Sequence, residues 1–99
     1  MAYMINATVN FKTTEERTRH VPLLKNHQKR SLDNEPGTLR FEFSLSTEDD
    51  KQILLQELYE NREAFEAHWT GESMKIISSE WQASGITPEI KGWHGVTAD

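Results

Sequence analysis

Residues 51–60 most constrain the fold, because large apolar side chains occupy both alternating sets of positions in KQILLQELYE. Successive side chains of a strand point to opposite faces, so Ile53 and Leu55 lie on one face and Leu54 and Leu58 on the other. This predicts a central strand that is covered on both sides. The 99 residues make one domain, 1–99, with one modest core. Helices can cover one face, and a partner subunit is the simplest cover for the other.

The remaining strands are predicted by the same period of two. Residues 3–11 place Tyr3, Ile5, Ala7, Val9 and Phe11 on one face. In residues 38–45 the apolar positions are Leu39, Phe41, Phe43 and Leu45, which predicts that this face is buried. Residues 86–96 contain one proline and two glycines, which is typical of an edge strand.

Three helices are predicted between these strands. Thr13 and Glu16 have the spacing of a capping box, which starts a helix that runs to about residue 32. Pro22 predicts a kink in it, or a start near Val21. A short helix begins near Asn61, and another spans about residues 72–80 with Met74, Ile77 and Trp81 at helical spacing. The order β-α-β-β-α-α-β indicates an α+β, ferredoxin-like fold with an antiparallel four-stranded sheet.

Composition excludes several classes of function. The net charge of −5 argues against nucleic acid as a partner, because phosphate binding requires a basic surface. The sequence contains no run of about 18 apolar residues, so no membrane span is predicted. Residues 1–11 do not resemble a signal peptide. The absence of cysteine excludes disulfides and thiolate chemistry, and it fits a cytoplasmic protein.

Three segments together resemble a known family. They are E-P-G-T-L-R-F-E-F, the strand end Q-E-L-Y-E-N and the helix R-E-A-F-E-A-H-W. This pattern, over about residues 3–81, resembles the antibiotic biosynthesis monooxygenase superfamily, which includes small quinol monooxygenases. The resemblance implies a dimeric α+β barrel with a pocket between sheet and helices in each subunit. Members that oxidise aromatic compounds use O₂ without metal or flavin, so no cofactor is expected.

Two other branches of the superfamily are similar in part. Haem-degrading members have an Asn, a Trp and a His at positions where this chain has Ala7, His68 and Ser78, so haem degradation is disfavoured. A branch that isomerises a phosphorylated signalling compound has an Asn-His pair in the first helix and a His on a later helix. Asn26-His27 and His68 are similar to these.

The candidate catalytic residues are His27, His68 and Glu57. His27 lies on the inward face of the first helix, where it is either a packed core histidine or a base, since its pKa can bridge neutral pH. His68 either caps the helix dipole or, as the resemblance implies, lies at the mouth of the pocket. Glu57 lies on a buried strand and needs a partner. It either orients a histidine or pairs with Arg40 or Arg62.

Substrate contacts are expected from Ser31, one turn after His27, and from aromatic side chains that form either a pocket wall or core and dimer packing. These aromatic residues are Phe43, Tyr59, Trp69 and Trp81. No His-x-x-x-His spacing is present, so no metal site is expected.

The sequence therefore predicts a homodimeric, cofactor-independent monooxygenase that acts on a small aromatic or quinol-like compound. Two alternatives stay open: a non-catalytic dimeric ligand-binding or stress-response barrel, and an isomerase of a small phosphorylated compound, which requires cations at the pocket. Convergence of His27, His68 and Glu57 on one cavity favours an enzyme. An apolar, filled interior favours the binding module.

Overall fold

Seven elements follow one another in the predicted order. The computed structural model describes residues 1–96. The elements are β1 (Tyr3–Asn10), α1 (Thr14–Asn34), β2 (Thr38–Leu45), β3 (Gln52–Tyr59), α2 (Arg62–Trp69), α3 (Glu72–Ala83) and β4 (Glu89–His94). All strand pairs are antiparallel, and the order across the sheet is β2-β3-β1-β4. The predicted α+β class, the central position of β3 and the edge position of β4 are confirmed.

The helices pack on one face of the sheet and enclose the core. Ile53 and Leu55 of β3 point to this face and are buried, as are Leu24 of α1 and Ile77 of α3. In α3 the predicted inward set, Met74, Ile77 and Trp81, is buried throughout. Within residues 1–96, no helix is both long and apolar enough to cross a membrane.

The opposite face of the sheet is uncovered in the single chain. Met4 on β1 pairs with Leu58 on one side and with Trp93 on the other, and Thr8 pairs with Leu54. Met4, Leu54 and Trp93 are 44%, 36% and 53% exposed. Strand β3 therefore carries apolar groups on both faces, as the sequence predicts, and the second face has no cover among residues 1–96.

Strand β2 differs from its prediction. A bulge between Thr38 and Arg40 inserts Leu39 out of register, and Leu39 is 54% exposed. Leu45, near the far end of this edge strand, is 46% exposed. The predicted buried face is therefore right for Phe41, is met in part by Phe43, and is wrong for the two leucines.

Helix α1 continues through Pro22, so a start near Val21 is wrong. Pro22 has no backbone N–H to donate to the carbonyl of Thr18, four residues earlier. Both residues are exposed, so water can hydrogen-bond this carbonyl. Thr13 caps the helix by accepting a hydrogen bond from the Glu16 backbone N–H at 3.1 Å. The Glu16 carboxylate pairs with Arg19 at 3.3 Å. Among residues 1–96 the predicted capping box therefore has only the hydrogen bond to the Thr13 hydroxyl.

Candidate active site

A cavity lies between the helix-covered face of the sheet and the three helices. With these side-chain positions its volume is about 20 Å³, which is room for about one water molecule, so a larger ligand requires its walls to move apart. The residues that line it are Ile5, Ala7, His27, Leu55, Glu57, Phe65, His68, Trp69, Met74, Trp81, Pro88 and Ile90. Three of these twelve side chains are titratable, the two tryptophans carry one indole N–H each, and the others are apolar, so the structure brings His27, His68 and Glu57 to one largely apolar space.

His27 is held in one orientation by helix α3. Its Nδ1 lies 3.2 Å from the backbone oxygen of Ser73. A carbonyl oxygen only accepts, so Nδ1 carries the proton of the neutral ring and Nε2 keeps the lone pair. Burial, with a smaller contribution from the neighbouring His68, lowers the pKa of His27 to about 4. The ring is therefore neutral at pH 7, and among residues 1–96 no group hydrogen-bonds to its Nε2.

His68 is paired with a carboxylate. Its Nδ1 lies 2.6 Å from Oε1 of Glu35, which also accepts a hydrogen bond from the Thr38 hydroxyl at 3.0 Å. His68 is 2% exposed, so it lies in the interior rather than at a helix end in solvent. Its ring centroid is 5.2 Å from that of His27. Because a carboxylate only accepts, Nδ1 of His68 is the donor of this pair, and no group among residues 1–96 hydrogen-bonds to its Nε2.

Glu57 is buried on β3 beside Tyr59. Burial and the negative charge of Glu35 raise the pKa of Glu57 to about 7, and the hydrogen bond that the Tyr59 hydroxyl donates opposes this rise. The expected pairing of Glu57 with Arg40 or Arg62 is wrong, because these arginines pair with other glutamates on the surface. Because its pKa is raised to about 7, Glu57 can give or take a proton near neutral pH.

The other predicted contacts divide into two groups. Trp69 and Trp81 line the cavity. Tyr59 instead belongs to the core, and Phe43 packs against the core. Ser31 is fully buried, and its hydroxyl donates to the backbone oxygen of His27 at 2.8 Å. Ser31 is not among the residues that line the cavity, and its hydroxyl supports the helix turn that carries His27.

The features of the two other branches are only partly present. Ala7 and His68 line the cavity, while Ser78 does not. Asn26 is exposed on α1, so it points away from the space that His27 lines. No lysine or arginine belongs to the described lining, so a phosphate in this cavity would meet no permanent positive charge there and would lie beside the carboxyl of Glu57. Residues 1–96 also contain no group of three or more His, Asp or Glu side chains arranged to hold a metal ion.

Glu35 and Ser73 are the two polar residues that the site prediction missed. Glu35 lies 33 residues from the histidine that it orients, and Ser73 contributes only a backbone oxygen, which no residue type signals. The Glu-Pro-Gly turn could have indicated Glu35, because this turn is part of the family pattern. Nothing in the sequence indicated Ser73.

The family model for antibiotic biosynthesis monooxygenase matches residues 4–77, about three quarters of the chain. The chain belongs to this family. No curated protein sequence matches it. Among solved structures, three named "putative antibiotic biosynthesis monooxygenase" share the fold of this family member. The protein from Nitrosomonas europaea has a TM-score of 0.86 and 18% identity, over 98% of this chain and 92% of that one.

The other two structures give similar values. The protein from Deinococcus radiodurans has a TM-score of 0.84 and 17% identity, over 98% of this chain and 95% of that one. The protein from Caulobacter crescentus has a TM-score of 0.84 and 15% identity, over 97% and 92% of the two chains. At such low identities the similarity to these structures shows the fold of the chain and does not show its chemistry.

Proposed function

We propose that this antibiotic biosynthesis monooxygenase family member is a cofactor-independent monooxygenase acting on a small aromatic or quinol-like compound. The observation that carries the proposal is the neutral imidazole of His27. Its tautomer is fixed by the Ser73 carbonyl, and it lines an apolar cavity with Nε2 free of protein partners. This Nε2 can take a phenolic proton, because the anion that forms beside it stabilises the imidazolium and so opposes the burial that holds the pKa of His27 near 4 in the free protein.

The first chemical step is the transfer of a hydroxyl proton from the quinol to Nε2 of His27. The resulting anion is electron-rich and gives one electron to O₂, forming superoxide and a ring radical. The two combine at a ring carbon to form a peroxide anion, which takes the proton back from His27 and becomes a hydroperoxide. Loss of the proton on that carbon and cleavage of the O–O bond then give a hydroxyquinone and one water. The substrate supplies all the electrons, and O₂ supplies both the inserted oxygen and the oxygen of the water.

The two other titratable groups complete the proton transfers in this proposal. Glu57 accepts from Tyr59 on Oε1, so Oε2 can carry a proton for the departing hydroxide. His68, whose Nδ1 is held by Glu35, faces the same space as His27. The Glu35 carboxylate holds this ring in one orientation, so its Nε2 can exchange a proton with the reacting groups.

We also propose that two copies pair through the open sheet face to form the dimeric barrel. Met4, Leu54 and Trp93 are exposed on that face beside the half-buried Leu58. Burial of these apolar groups against a second copy would remove them from water. The absence of cysteine supports work in a reducing compartment such as the cytoplasm.

The test compares two buried histidines of the same helix. His27→Ala removes the proposed base, and His20→Ala removes a fully buried imidazole seven residues earlier that does not line the cavity. Each loss of packing should lower the free energy of unfolding by about 0.5–3 kcal/mol. Only His27→Ala should also lower the rate of oxygen uptake with hydroquinone, by roughly 10²–10⁴-fold.

The measurements are melting temperature and oxygen-electrode rates at pH 7. A folded His27→Ala protein that turns over as fast as the parent would show that His27 is structural. A parent that takes up no oxygen with any quinol, although it binds quinols, would instead favour a non-catalytic ligand-binding module.

A further inference from the structure

Trp81 carries a buried donor that no acceptor satisfies. The residue lies on α3, is 5% exposed and forms part of the cavity wall. Its indole Nε1 is buried, and among residues 1–96 no backbone or side-chain oxygen or nitrogen accepts its proton. A buried indole N–H usually has a partner, and leaving it without one opposes folding.

The surroundings explain why the protein itself supplies no partner. Of the cavity-lining residues on the sheet, Ile5, Ala7 and Leu55 are apolar, and the carboxyl of Glu57 accepts its hydrogen bond from Tyr59 instead. A phenylalanine would fill an apolar wall without an unsatisfied donor. The indole of Trp81 is thus part of the wall of the proposed substrate space, and its N–H is left without an acceptor among residues 1–96.

We propose that Trp81 donates its indole N–H to a second oxygen of the substrate, so that the site selects aromatic compounds with two oxygen substituents over those with one. This inference rests on the proposed function, in which the first oxygen gives its proton to His27. Because a preformed donor without a partner gains a hydrogen bond only when the second oxygen is present, a mono-oxygenated ring leaves the donor unsatisfied.

The first experiment follows the indole N–H directly by ¹H–¹⁵N NMR of the full chain without oxygen. The three tryptophan signals are distinguished by the one that disappears in Trp81→Phe, and the signals of Trp69 and Trp93 serve as internal controls. Hydroquinone should move the Trp81 N–H proton downfield, whereas phenol should not. No downfield shift with hydroquinone would overturn the proposal.

The second experiment measures dissociation constants of hydroquinone and phenol by titration. Trp81→Phe should weaken the binding of hydroquinone by about tenfold and leave that of phenol unchanged. Ile77→Val, a smaller truncation at a buried residue of α3 outside the cavity lining, should keep the parent's preference for hydroquinone. An unchanged preference in Trp81→Phe would overturn the proposal.

The two proposals fail in different ways. If the parent oxidises hydroquinone and Trp81→Phe keeps the same preference for it over phenol, the monooxygenase proposal stands and the role of Trp81 is refuted. If Trp81→Phe loses the preference while the parent takes up no oxygen, the ligand class is supported and the monooxygenase proposal is refuted.

Discussion

Replacing Glu57 by glutamine should raise stability at neutral pH and leave it unchanged in acid. The carboxyl is buried on β3, and its pKa is raised from 4.5 to about 7, mainly by burial. Glutamine has nearly the same shape and can still accept the hydrogen bond from Tyr59, but it never ionises. The variant therefore removes the cost of a buried charge and little else.

The magnitude follows from proton linkage. Between pH 4.5 and 7 the folded chain keeps the Glu57 proton while the unfolded chain has lost it, so the parent loses stability as pH rises through this window. Each tenfold difference in proton affinity corresponds to about 1.4 kcal/mol. The free energy of unfolding of Glu57→Gln minus that of the parent should therefore be about 3 kcal/mol larger above pH 7 than at pH 4.

His27 acts in the opposite direction over an overlapping range. Burial lowers its pKa from 6.5 to about 4, so the unfolded chain binds the extra proton between these values and stability rises with pH. In the parent the two slopes largely cancel between pH 4.5 and 6.5. Glu57→Gln should therefore expose a rise in stability that the parent hides.

The assay is urea unfolding at one protein concentration, from pH 4 to pH 8, for the parent, Glu57→Gln and the control Glu60→Gln. Glu60 is the exposed glutamate three residues further along the chain, so its replacement should give a flat difference curve. A gain of about 3 kcal/mol moves the urea midpoint by roughly 1–3 M. A flat difference curve for Glu57→Gln as well would refute the argument that burial holds the proton on this carboxyl.

Three further outcomes are expected. Light scattering at micromolar concentration should give about twice the 11.5 kDa chain mass, because the open sheet face is apolar in part, and a stable monomer would contradict the barrel. Purified protein should contain no stoichiometric metal, flavin or haem, and elemental analysis with a visible spectrum checks this. The value of kcat/KM for a quinol should fall below pH 4, where His27 is protonated, and above pH 7, where Glu57 has lost its proton. In Glu57→Gln the fall of kcat/KM above pH 7 should be absent.

The order of the elements and the two-sided character of β3 could be predicted because they depend on local periodicity. Alternate residues of a strand share one face, and a helix completes a turn every 3.6 residues. Spacing alone therefore predicts a core position for Ile53, Leu55, Ile77 and Trp81. The same reasoning failed at Leu39, where a bulge breaks the alternation. A bulge forms from the pairing of two strands, and the pattern of one strand does not contain it.

The sequence alone determined which groups can do chemistry in this chain, since it contains four histidines, no cysteine and a carboxylate on a core strand. Only the tertiary structure decided their states. The Glu35–His68 pair spans 33 residues and the contact of His27 with the Ser73 carbonyl spans 46, so both exist only after the helices pack. The shifted pKa values of His27 and Glu57 arise from loss of water around them, which is a property of the packed interior and of no local stretch of sequence.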